Sequence, residues 1–199
     1  MHQPRLRTSH LANLILPVAM PAAILFVLLS MQVSANAEEA MRIVTPDGAS
    51  QSWTAARIKS DLASEIRSFE YQGRDGKRTS SGVPLLALLK SAGVPVALQM
   101  DPHADPHVKN ANLRLVVTIQ GGDGYTVAFS LAELMPDIGG REAWLALDED
   151  GKHLPDRDGI AKLIVPADQK PGRWVRNVTT IRIVDATATT RPAAAVPGQ

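Results

Sequence analysis

Residues 159–184, GIAKLIVPADQKPGRWVRNVTTIRIV, restrict this chain more than any other stretch. The apolar run Leu163-Ile164-Val165 ends at Pro166, which has no amide proton with which to extend a β-ladder. A polar segment follows that carries Lys170, Arg173 and Arg176, and a second run, Thr180 to Val184, alternates with period two. Such a chain places two strands on either side of a basic crossover. The crossover is a candidate anion site, because guanidinium grips an oxyanion with two parallel, charge-assisted bonds.

The rest of the chain bounds what that crossover can belong to. With 199 residues and 45% hydrophobic content there is material for one ordinary domain and its core. Arg5, Arg7 and His10 precede an apolar segment from Leu11 to Ser30, and Ala35-Asn36-Ala37 closes it with small residues. This is the pattern of a secretory signal peptide over residues 1–37, with cleavage before Glu38 and a periplasmic or secreted product. A retained membrane anchor is the competing reading; Pro17, Pro21 and the Ala-Asn-Ala site favour cleavage, after which no membrane contact is expected. Removing 1–37 takes away two Arg and no acid, so the formal charge of +1 becomes −1 and no nucleic-acid partner is indicated. The chain has no Cys, which excludes disulfides, a thiolate metal ligand and a nucleophilic thiol. Residues 186–199 are small, polar and Pro-bearing, and read as a disordered tail. The folded unit is expected over 41–185.

Within it, Met41 to Thr45 alternates as a strand, and Ser52 is placed to cap a helix through Asp61. Glu65 to Tyr71 alternates with Phe69 and Tyr71 on one face, and Gly73-Arg74-Asp75-Gly76 is a hairpin turn. Gly82 to Gly93 reads as a leucine-faced core helix with Pro84 in its first turn and Gly93 as its stop. His103 and His107, interleaved with Asp101 and Asp105, invite a metal site; Pro102 and Pro106 break the helical spacing, and a solvated loop is the better reading. Asn112 to Ile119 and Tyr125 to Phe129 are two strands joined at Gly121-Gly122-Asp123-Gly124. Ser130 to Glu133 has the form of a capping box, and Ala143 to Leu147 is a further strand that turns at Asp150-Gly151. The sum is an α+β domain of β-rich mixed sheets with short helices.

In that order Gly82-Val83-Pro84-Leu85, Gly124-Tyr125, Phe129 to Leu134, Leu154-Pro155, Leu163 to Pro166 and Arg173-Trp174-Val175-Arg176 resemble the oxidoreductase molybdopterin-binding domain of the sulfite oxidase family. The resemblance runs from about Ser52 to Val184. It implies the family's α+β fold and a pocket that in full-length members holds a molybdenum–pterin cofactor. Several departures matter. The family binds molybdenum through a Cys thiolate, and the stretch that would carry it reads as the hairpin Glu70 to Gly76. The family's following β-sandwich has no counterpart after Val184. Trp174 and Asn177 replace the usual small residue and Trp, Arg176 stands for a family Lys, and Asp158 falls where the family has His.

The resemblance therefore implies half of a cofactor site. Arg173 and Arg176 would grip the phosphate of a pterin-like or other anionic ligand, with Lys170 assisting and Tyr125 on the wall. No catalytic residue and no metal ligand is assigned. Molybdopterin remains a cofactor implied by resemblance, while the missing thiolate speaks against molybdenum. The competing reading makes both Arg surface groups that pair with acids such as Asp156 or Asp158. Two other functions stand beside the anion-binding one: an accessory or sensory module that binds an exported protein partner, with an exposed apolar patch near Trp144 or Trp174, and a molybdenum oxidoreductase with a non-thiolate metal site.

Overall fold

The computed structural model describes residues 39–188, apart from 99, 100, 102, 106 and 107. The expected signal peptide, the tail beyond residue 188 and His107 lie outside the described residues. Two sheets organise the chain. The first holds β1 (Ala40–Val44), β2 (Ser50–Thr54), β5 (Leu115–Gly121), β6 (Thr126–Ser130) and β10 (Val178–Asp185), in the order β2-β1-β10-β5-β6. Its β1 and β10 run parallel, with Ile43 opposite Ile181; the other pairs are antiparallel. The second holds β3 (Arg67–Gly73), β4 (Gly76–Pro84), β7 (Trp144–Glu149), β8 (Lys152–His153) and β9 (Lys162–Ile164). There β4 takes one edge of β7, while β8 and β9 share the other. This is the β-rich α+β architecture that the sequence indicates.

Period-two alternation decides where each strand buries its side chains. In β7, Leu145 and Leu147 face the main core, which gathers Met41, Ile43, Trp53, Val117, Ile119, Leu163 and Ile181 from both sheets. Trp144 and Ala146 point the other way, into a smaller cluster with Phe69, Tyr71 and Ile164. The second sheet is thus covered on both faces, and Trp174 from the crossover packs against both clusters. The aromatic face expected for β3 is this smaller cluster, where Phe69 stacks on Trp144 with centroids 4.7 Å apart.

Short helices fill the remaining gaps. Helix α1 (Ala55–Asp61) is capped by Thr54, whose hydroxyl accepts from the Arg57 amide at 3.1 Å, and not by Ser52. The expected helix start is overridden because Trp53 pairs with Met41 in β2, which keeps Ser50–Thr54 extended. Helix α2 (Leu85–Ser91) buries Leu85, Leu88 and Leu89 and ends before Gly93 at φ +88°, as its leucines and glycine indicate; Pro84 sits one position outside it. Residues 111–114 form a 3₁₀ turn where a strand is expected, because Asn112 turns inward and donates to the Pro95 and Ala97 carbonyls. Helix α3 (Leu131–Leu134) follows Ser130 but lacks a side-chain cap, and the Glu133 carboxylate that would complete a capping box accepts from Arg173 instead.

The β4–β7 contact leaves no room at Gly82. A Cβ there would sit 2.0 Å from the Leu145 carbonyl oxygen and 2.8 Å from the Ala146 Cα, at the bulge between Ser81 and Gly82. Both obstacles are backbone, so neither can swing aside. Gly82→Ala is expected to cost about 2–3 kcal/mol and to lower the midpoint of thermal unfolding by roughly 5–10 °C. A midpoint within about 1 °C of the native protein would contradict this packing.

Candidate functional site

The polar end of β7 opens into a cleft of about 450 Å³. Three stretches wall it: the β3–β4 hairpin through Gly73, Arg74 and Asp75; residues 157–162 through Arg157, Asp158 and Lys162; and the crossover through Pro171, Trp174 and Arg176. Each wall follows from local sequence. The hairpin closes with Gly73 opposite Gly76, and the same register sets Tyr71 opposite Arg78. Asp158 ends a 3₁₀ turn, and Gly159 follows at φ +60°, where a Cβ would lie 2.2 Å from the Asn177 side-chain oxygen. The Asn177 amide in turn donates to the Asp158 carbonyl at 3.0 Å. That contact ties the crossover to the 157–162 wall.

Charges are layered in depth. At the bottom Glu149 accepts from the Tyr71 hydroxyl, from Lys162 Nζ at 3.0 Å and from Arg78 at 3.0 Å. Burial pushes the Glu149 carboxyl up, but the Tyr71 and Lys162 hydrogen bonds, with the Lys162 and Arg78 charges, more than offset that and leave it below the ordinary carboxylate range. Burial and the bond to Glu149 together push the Tyr71 hydroxyl well above its ordinary value, so it stays protonated. Tyr71 also meets Trp174 edge to face, with centroids 5.1 Å apart, and the two form the aromatic floor.

Beside this group, Asp158 is the shared counter-ion of three cations. Its side chain is 3% exposed, with Lys162 Nζ 3.6 Å from one oxygen and the Nε atoms of Arg176 and Arg157 3.5 and 3.9 Å from the other. That second oxygen is buried and has no hydrogen-bond partner. At the mouth, the guanidinium groups of Arg74, Arg157 and Arg176 make no hydrogen bond to any described residue. Five cationic residues (Arg74, Arg78, Arg157, Lys162, Arg176) and three acids (Asp75, Glu149, Asp158) line the cleft, a surplus of positive charge concentrated at its rim.

The structure separates the four residues that the sequence groups as a ligand grip. Arg176 lines the cleft; Arg173, Lys170 and Tyr125 are not among the lining residues. Arg173 lies in a different network, where it donates to both oxygens of Asp168 at 2.9 and 2.7 Å and to Glu133 at 2.9 Å, and its guanidinium stacks 4.6 Å from the Phe129 ring centroid. The hydrogen bonds to Asp168 and Glu133 raise the Arg173 pKa, and the Arg173 bond holds Asp168 below the ordinary range. Tyr125 donates its hydroxyl to the Gly172 carbonyl at 2.5 Å, and Lys170 is exposed. The pairing of Arg176 with Asp158 agrees with the surface-pair reading for that residue, although Asp158 itself is buried. Trp144 is buried and Trp174 half-buried; Trp144 lines a shallow groove with Pro84, Leu86, Leu134 and Pro136.

Sequence reasoning missed the floor of the cleft. Tyr71 and Arg78 could have been found, since the Gly73–Gly76 turn fixes them as a cross-strand pair. Glu149 and Lys162 could not, because they arrive through long-range strand pairing.

The donor set does not fit the molybdenum centre implied by the resemblance. The chain has no cysteine thiolate, and among the described residues no group of three or more His, Cys, Asp or Glu is placed to hold a metal. The two inner carboxylates are already engaged by cations. His103 lies exposed, with its amide donating to Asp101 in a local turn. Among the described residues no helix is long and apolar enough to cross a membrane.

Comparison with known proteins bears on the fold alone. No family model matches the sequence, and no curated protein matches it. Among solved structures, the sulfane dehydrogenase SoxCD from Paracoccus pantotrophus is similar at a TM-score of 0.51 and 18% identity, over 73% of this chain and 38% of that one. At that identity the likeness shows the fold alone, and it agrees with the α+β architecture implied by the sequence resemblance. The chain spans well under half the length of that neighbour.

The depressed carboxyls predict a pH dependence. Around pH 4 the unfolded chain binds protons that folded Glu149 and Asp168 do not. Their stabilisation is therefore fully present above the ordinary carboxyl range near pH 4 and is lost as pH falls through the depressed folded values. The thermal midpoint should be level from about pH 7 to 5.5 and fall steeply below about pH 4, and Glu149→Gln should flatten the fall. An equal fall in native protein and in the Glu149→Gln variant would remove Glu149 from this account.

Proposed function

We propose that this chain is an exported binding protein of molybdopterin-domain-like fold, whose cleft holds a small anionic ligand with a flat ring. Pterin-like anions are the class intended, taken up without redox-active molybdenum. The observation that carries the reading is the rim of Arg74, Arg157 and Arg176, three guanidinium groups from three walls without hydrogen bonds to described residues, above the aromatic floor of Tyr71 and Trp174. Guanidinium supplies paired donors to an oxyanion, and an aromatic floor packs against a ring. Glu149 beneath is already satisfied by Tyr71, Lys162 and Arg78, and the unspent donors lie at the rim, so the ligand's anionic end belongs there. Export rests on the N-terminal pattern, and the mature chain should begin at Glu38.

Mass spectrometry of the protein isolated from its native periplasm should find a co-purifying anionic small molecule, with no stoichiometric molybdenum by elemental analysis. Carboxypterin titrated by fluorescence anisotropy should bind the purified protein, in competition with inorganic phosphate. Arg176→Ala should weaken binding about tenfold, equivalent to ~1.4 kcal/mol from one charge-assisted contact. A ligand-free protein that ignores both carboxypterin and phosphate overturns the reading, as does one molybdenum per chain.

A further inference from the structure

The crossover between β9 and β10 has two sides, and only one of them lines the cleft. On that side lie Pro171, Trp174 and Arg176. On the other, three side chains fasten it to the first sheet and the helix beside it. Tyr125, just before β6, holds the Gly172 carbonyl at 2.5 Å. Arg173 forks onto Asp168 within the crossover, reaches Glu133 of α3 at 2.9 Å and lies on the ring of Phe129 in β6. Arg141 closes the cluster, 3.7 Å from both Glu133 and Asp168. The Trp174 indole then donates to the Val165 carbonyl at 3.2 Å, across the base of the loop.

We infer that Arg173, with Tyr125 assisting, is a positioning residue that sets where Trp174 and Arg176 stand in the cleft, and that it makes no contact with the ligand itself. Arg173 does not line the cleft, three of its five guanidinium donors are spent on Asp168 and Glu133, and its face lies on Phe129. Lysine cannot replace it, because one ammonium group does not reproduce a planar fork joined to a second carboxylate. The inference rests on the anion-binding reading for its affinity readout, but its structural half stands apart from it.

Removal of a partner acid separates positioning from contact by the sign of the effect. If Arg173 touched the anion, Asp168→Asn would free it and make the neighbourhood more positive, and anion affinity would rise. If Arg173 positions the crossover, the same change loosens Trp174 and Arg176, and affinity falls. Carboxypterin affinity is measured on folded protein at low temperature, together with the emission of Trp174, taken as the difference between each protein and its Trp174→Phe counterpart. Asp168→Asn and Arg173→Lys should each weaken binding about three- to tenfold, and both should shift Trp174 emission to the red as the indole loosens. Tyr125→Phe, which removes one hydrogen bond and no charge, should do the same to a smaller degree and serves if the charge variants fail to fold. Tighter binding by Asp168→Asn, or an unchanged affinity with unchanged Trp174 emission in all three variants, overturns the inference. If the native protein binds neither carboxypterin nor phosphate, the anion-binding reading falls, and an unshifted Trp174 emission in Asp168→Asn and Tyr125→Phe would then sink the positioning role as well.

Discussion

Strand β7 is buried on both faces, and the rest of the structure follows from that. Leu145 and Leu147 complete the main core while Trp144 and Ala146, one residue out of phase, seed a second cluster. A strand that is apolar on both faces cannot lie at a surface, so it needs a neighbour on each edge and a cover on each face. The cover on the far face is aromatic: Phe69 and Tyr71 from β3, and Trp174 from the crossover. Where the apolar residues of β7 stop, at Asp148 and Glu149, the cover continues, and the space between them is the cleft. The candidate site is thus the polar end of a packing layer.

The charges in this space are arranged as the cost of burial requires. An ion taken out of water costs several kcal/mol unless partners replace the lost hydration. Glu149 meets that condition with three donors, one of them a tyrosine that its own burial keeps protonated. Asp158 meets it differently, with three nearby cations but one oxygen that lacks a hydrogen bond. The hydrogen bonding of Glu149 is therefore closed and that of Asp158 is not. A ligand that arrives at the rim finds guanidinium groups whose hydrogen-bonding capacity is unspent, while the inner charges have no reason to rearrange.

Local chemistry made much of this legible. The Gly73–Gly76 turn, the aromatic parity of β3, the leucine face of α2 and the turn at Asp150-Gly151 all depend on residues a few positions apart, and the structure keeps them. The misses share one cause, a distant partner that overrides a local preference. Ser52 has the chemistry of a cap, but Met41 holds its neighbour Trp53 in a strand. Asn112 sits in an apolar alternating run, but carbonyls of the preceding loop draw it inward. Glu133 fits a capping box, yet a guanidinium forty residues away offers a stronger, charged bond than a backbone amide does. Of the four residues grouped by the resemblance, Arg176 lines the cleft; Lys162, Glu149 and Arg78 meet only through strand register, which no single stretch contains.

Arg173 and Arg176 show why a motif cannot assign its own residues. They lie three positions apart in one loop and share the same chemistry. A 3₁₀ turn over Pro171–Arg173 gives way to extended backbone at Trp174, and Asn177 then takes a left-handed φ of +44° to enter β10. In a helix, residues three apart share a face; in this bent segment they diverge. One guanidinium is directed to the first sheet, where Asp168, Glu133 and Phe129 hold it, and the other to the cleft, where its one carboxylate partner lies 3.5 Å away. Which arginine is held in the loop's own network and which one lines the cleft is decided by the acids that the fold brings near each, and those acids come from outside the motif or from its far end.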